Sequence, residues 1–112
     1  MSDAYLFLAG AILTEVTGTT LLKLSEGFDQ ASFGAAAVGL YLVSFYCVSE
    51  ALVELPVGLV YATWSAAGIL ALAAIGIAFF GEPIDAAGVL GIILVVLGIV
   101  VLNVYSGAYA PA

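Results

Sequence analysis

The sequence predicts an all-α integral membrane protein with four transmembrane helices, and three observations carry that prediction. Of the 112 residues, 65% are hydrophobic, against about 45–50% in a soluble domain. Only 8% are charged, about a third of the ordinary share. The apolar residues fall into four runs, at about 4–22, 33–52, 57–80 and 86–106, separated by short polar joints. Each run is near the ~20 residues that cross a hydrocarbon core of about 30 Å.

These four runs account for nearly the whole chain, so a single transmembrane domain over residues 1–112 is expected in a cell (plasma or inner) membrane. No length remains for a soluble catalytic domain, and the chain does not read as an enzyme. The first run is not a cleavable signal, because it lacks a basic leader and contains Glu15. There is no His and only one Cys, Cys47. That excludes Cys/His metal sites and internal disulfides, and no cofactor is expected. A net charge of −7 argues against nucleic acid and anionic lipid as partners. Lys23 is the only basic residue, so the positive-inside rule has little to act on and insertion in both orientations is expected. A bundle this small hardly encloses a solute pathway alone, which argues for an oligomer.

In the first run, Glu15 is the one charge between Ala4 and Leu22. An ionisable side chain at membrane depth costs at least ~2.5 kcal/mol and marks a proton or ion site by default. The bland alternative is a protonated acid serving as helix-packing glue. Helical spacing puts Leu8, Ala11, Ile12, Gly18, Thr19 and Leu22 on the same face as Glu15. Ala11 and Gly18 let a second helix approach closely, which would crowd water away from the acid.

The joint after Lys23 contains the turn-rich Ser25-Glu26-Gly27-Phe28-Asp29. The second run carries Tyr41, Ser44, Phe45 and Val48 at helical spacing. Tyr41 lies too deep for an interfacial belt, so its hydroxyl needs a partner inside the protein. Glu50, near the far end, reads as an interfacial charge. The third run begins after Pro56, a favourable residue at a helix start. Its Tyr61, Trp64, Ser65 and Gly68 form one stripe. Tyr61 and Trp64 suit either a cage for an organic cation or an interfacial aromatic belt, and periodicity does not decide between them. The fourth run has no internal charge. Its Gly91, Leu94, Val95 and Gly98 share a face suited to helix packing, either within the bundle or, as we favour, between subunits.

Taken together, these residues resemble the small multidrug resistance family in its quaternary-ammonium and multidrug exporter branch. Residues 10–28 resemble its first-helix signature, Pro56 to Gly68 its third-helix motif, Phe80 to Asp85 its third loop and Gly91 to Ile99 its dimerisation motif. The resemblance is nearly full length. It implies an antiparallel, dual-topology homodimer of four-helix subunits that exchanges protons for lipophilic or quaternary ammonium cations. It also implies that Glu15 is the essential carboxylate, with Leu8, Ala11, Ile12, Gly18 and Thr19 around the binding chamber. Tyr41, Tyr61 and Trp64 match the substrate-contacting aromatics, Tyr5 and Ser44 the supporting positions, and Gly91, Leu94, Val95 and Gly98 the dimer contact. Two rival readings stay open: export of guanidinium-type metabolites, which Thr17 and Gly18 fit poorly, and a subunit of a membrane heteromer that transports nothing alone. One departure concerns motion. The family's third helix commonly bends at a Gly-x-Gly, and here the run is Ala66-Ala67-Gly68, which should stiffen the hinge.

Overall fold

The computed structural model describes residues 3–109, and these are helical apart from short joints and the C-terminal tail. Helix α1 spans Asp3–Leu24, α2 Ala31–Leu52, α3 Val57–Phe80 and α4 Ala86–Val100, the last continuing into a π-helical turn over Val101–Tyr105. The four predicted spans are therefore present, with ends moved by one or two residues. All four are long and apolar enough to cross a membrane, the fourth as the 20 residues Ala86–Tyr105. The chain divides into two compact units, Met1–Glu54 and Leu55–Ala112.

In the first unit α1 and α2 form an antiparallel hairpin, and small residues set their approach. A Cβ built on Gly18 would lie 3.3 Å from Leu40 Cβ and from two ring carbons of Tyr41. At Gly10 it would lie 3.5 Å from Cys47 Sγ, which makes Cys47 a packed thiol at this seam. Ser44 Oγ donates to the Ala11 carbonyl at 2.8 Å, and Ser44 and Ala11 are fully buried. Phe7 and Tyr46 add an edge-to-face contact, with centroids 6.2 Å apart.

The α1–α2 turn departs from ordinary backbone. Glu26, Gly27 and Phe28 have φ of 51°, 69° and 71°, a run that only the glycine adopts without cost. Buried Ser25 holds it. Its Oγ donates to Leu22 O at 2.6 Å and accepts from Phe28 N at 3.2 Å, while its carbonyl accepts from Gln30 N at 2.9 Å. Phe28 is thereby laid over Gly34, where a Cβ would overlap its ring. Strained residues persist where neighbours determine them in this way.

In the second unit the helix ends follow from local chemistry. Pro56, at φ −60° and ψ 144°, opens α3. Gly81 closes it in the left-handed region at φ 65°, and Glu82 N reaches back to Gly76 O at 3.0 Å, an end that glycine adopts without a Cβ penalty. Asp85 caps α4, its Oδ1 accepting from Gly88 N at 2.9 Å. Helix α3 runs unbroken through Ala66-Ala67-Gly68. No residue of α4 is buried.

Candidate functional site

Four threonines follow one another along α1, and their hydroxyls divide into two kinds. Thr14, Thr17 and Thr20 each donate to the carbonyl four residues earlier, at 2.8 Å in every case. That satisfies a polar group inside an apolar helix. Thr19 does otherwise. Its Oγ1 lies 2.6 Å from Glu15 Oε2 and 2.7 Å from the Tyr41 hydroxyl. Acid, threonine and tyrosine thus form a continuous hydrogen-bonded chain from α1 to α2.

The fold explains the chain. Glu15 and Thr19 are one turn apart on one helical face. Tyr41 reaches them because Gly18, between α1 and α2, has no side chain to hold the ring away. The Tyr41 hydroxyl that the sequence required to find a partner finds Thr19. Glu15 itself is half-buried within the single chain, less enclosed than its small-residue face suggested. The partner that holds its carboxyl group is a neutral hydroxyl, that of Thr19.

The other expected positions sort into packed and open ones. Leu8, Ala11 and Gly18 are buried, while Tyr5, Ile12, Thr19 and Tyr41 are half-buried. Ser44 is near the acid in sequence register, but its hydroxyl is committed to the Ala11 carbonyl. In the second unit Tyr61 and Trp64 meet edge to face, with centroids 5.9 Å apart and planes at 71°. Tyr61 is exposed and Trp64 half-buried. The quadrupoles of such a pair favour this geometry, and it leaves the exposed Tyr61 able to meet a ligand. Along α4, Gly91, Leu94 and Gly98 are exposed and Val95 half-buried. A Cβ at Gly91 or Gly98 would meet nothing within 4 Å.

One polar contact was not foreseen. Asn103 Nδ2 donates to Thr63 Oγ1 at 3.1 Å and to Ile99 O at 3.0 Å. The signal was available: Asn103 is the one amide in the fourth apolar run, and polar side chains there are helix-bridging candidates.

Four apolar spans with a carboxylate held on the first define a multi-pass helical protein of the cell (inner) membrane. Residues 3–95 match the family model described as Small Multidrug Resistance protein, and the chain belongs to that family. It is 37% identical over 104 residues to the multidrug transporter EmrE of Escherichia coli K12, covering 93% of this chain and 94% of the relative. To the quaternary ammonium compound-resistance protein QacE of Escherichia coli it is 42% identical over 106 residues, covering 95% and 96%. It is also 43% identical over 100 residues to the nicotine metabolites export pump subunit NepB of Paenarthrobacter nicotinovorans, covering 89% of this chain and 60% of that one.

Proposed function

We propose that the protein is a multidrug efflux transporter that exports lipophilic and quaternary ammonium cations in exchange for protons. The names of EmrE and QacE support the efflux reading. The exchange reading rests on Glu15, and the observation that carries it is the Tyr41–Thr19–Glu15 chain. A carboxylate at membrane depth gains from either a proton or an organic cation. It cannot hold both as an ion pair, so the two ligands compete for one locus. Competition combined with exposure to one side at a time gives antiport, provided the ligands bias the two conformations differently.

In this reading Leu8, Ala11, Ile12, Gly18, Thr19, Tyr5, Tyr41 and Ser44 surround the acid, and Tyr61 and Trp64 meet the aromatic parts of the cargo. The working unit is an antiparallel homodimer of single four-helix domains, joined through Gly91, Leu94, Val95 and Gly98. Gly91 and Gly98, exposed along α4 with nothing within 4 Å of a Cβ built there, suit that role, since glycine lets helix backbones approach where hydrocarbon gives no hydrophobic drive.

The test is transport into liposomes carrying an imposed pH gradient. The purified chain should move tetraphenylphosphonium against its gradient, and Glu15→Gln should abolish both uptake and the pH dependence of binding while the dimer persists. Coupled transport by Glu15→Gln would refute the assignment. A second reading has one observation in its favour: NepB is named as a pump subunit. If the chain belongs to a heteromer, it will transport nothing alone and recover activity only with a coexpressed partner.

A further inference from the structure

An amide inside an apolar span has two donors to place, and Asn103 places both. One proton goes to Ile99 O at 3.0 Å on its own helix, the other to Thr63 Oγ1 at 3.1 Å on α3. The amide sits in the middle of the π-helical turn Val101–Tyr105. A π turn admits one residue more than an α turn, so it advances the register of the side chains that follow, and such turns gather at functional sites. On α3, Thr63 lies between Tyr61 and Trp64 in sequence, within the two turns that carry their edge-to-face pair. Fixing the Thr63 hydroxyl therefore fixes the rotation of α3 about its own axis where the two rings are aimed.

We propose that Asn103, acting through Thr63, is a positioning residue for the Tyr61–Trp64 pair and so sets the preference for aromatic over non-aromatic cations. The proposal rests on the reading of that pair as contacting the cargo. A cation with flat aromatic arms depends on the aim of the rings, because its attraction to a ring face and its stacking fall away as the ring turns. A compact alkylammonium ion, held chiefly by the carboxylate, depends on that aim far less. Neither Asn103 nor Thr63 need touch the cargo for this to hold.

The experiment uses the full chain in detergent micelles and measures binding of tetraphenylphosphonium and tetrapropylammonium. Thr63→Val keeps the side-chain volume and removes the acceptor. It should weaken tetraphenylphosphonium about three- to tenfold, the range of an interhelix hydrogen bond in a membrane bundle, and tetrapropylammonium less than about twofold. Thr63→Ser should restore the wild-type ratio. Asn103→Ala should match Thr63→Val and add nothing to it in the double variant. Trp64 is the single tryptophan, so intrinsic fluorescence reads that ring alone. Its emission should shift in Thr63→Val and return in Thr63→Ser, a readout that needs neither ligand. Equal weakening of both cations, an unchanged ratio with unchanged emission, or additive effects in the double variant would overturn the proposal. Wild-type protein that binds neither cation would instead overturn the transport reading, while the emission of the variants would still decide whether Asn103 positions Trp64.

Discussion

Thr19 Oγ1 donates to Glu15 Oε2 at 2.6 Å, and because a hydroxyl has one proton this bond fixes the direction of the next. Thr19 must then accept from the Tyr41 hydroxyl at 2.7 Å. The ordered chain runs from Tyr41 through Thr19 to the acid. If Glu15 binds the exchanged proton, as proposed, that proton supplies a donor at the other end and permits the reverse order, with the Tyr41 hydrogen turned away from Thr19.

That chain can be cut in the middle. Thr19→Val removes the donor to the carboxylate at nearly constant volume. A hydrogen bond to a charged group contributes about 1.5–3 kcal/mol, and partial exposure of this one argues for the lower end. The expected outcome is an approximately tenfold loss of tetraphenylphosphonium affinity, tenfold being about 1.4 kcal/mol, with Thr19→Ser close to wild type. Tyr41→Phe should weaken binding less. In the Thr19→Val background it should change nothing, because its hydroxyl has already lost its place in the chain. Independent, additive losses in calorimetric titrations would show that the two hydroxyls act separately.

Packing at Gly18 is a separate requirement. A Cβ there would stand 3.3 Å from Leu40 Cβ and from the Tyr41 ring, so the neighbours must give way by a few tenths of an ångström. Gly18→Ala should cost about 1 kcal/mol and Gly18→Val about 1–3 kcal/mol, as overfilled packing does. Gly39→Ala on α2 is the control, since a Cβ there meets nothing within 4 Å. It should be neutral or slightly stabilising. Thermal unfolding in micelles should rank the variants in that order. A Gly18→Val protein as stable as Gly39→Ala would show that α1 and α2 do not pack as described.

The cap of the fourth span gives a test outside the candidate site. Asp85 Oδ1 accepts from Gly88 N at 2.9 Å, satisfying a donor that the first turn of α4 leaves open. Asp85→Ala should lower stability by about 1 kcal/mol, and Asp85→Asn or Asp85→Ser by only a few tenths. Cation affinity should be unchanged in all three. An affinity loss in Asp85→Ala alone would tie this loop to the binding reaction.

Much of this was legible in the sequence because a membrane chain has few polar residues to place. The four spans follow from run lengths, and Thr19 follows from its four-residue spacing to Glu15, which distinguishes it from Thr14, Thr17 and Thr20. Tyr41 had to find a hydroxyl partner because of its depth. What escaped depends on contacts that no spacing encodes. Ser44 shares a face with Tyr41, yet its proton goes to a backbone carbonyl that the close approach of α1 brings within 2.8 Å. The left-handed run at Glu26 and Phe28 is imposed by Ser25 and by the seat of Phe28 on Gly34, a tertiary effect. The π turn at Val101–Tyr105 inserts a single residue, too small a change to disturb an apolar run that is hydrophobic all round.

Substitutions at Trp64 would decide between the cage and the belt that the sequence left open. A belt tryptophan sits at the headgroup level and contributes to insertion, whereas a cage tryptophan meets the cargo. Trp64 is half-buried and edge to face with Tyr61 at 5.9 Å. A ring face in contact with a desolvated cation contributes about 2 kcal/mol, and at exposed sites about 0.5–1 kcal/mol; half-burial lies between. Trp64→Ala should therefore weaken tetraphenylphosphonium by about tenfold or more. Trp64→Phe should recover part of that loss, since a smaller ring still offers a face, while Trp64→Leu, similar in apolarity but without π electrons, should not. Tetrapropylammonium, lacking aromatic arms, should lose less in every variant. Equal losses for the two cations, or a Trp64→Leu protein indistinguishable from Trp64→Phe, would mean that the ring serves the membrane interface and not the cargo.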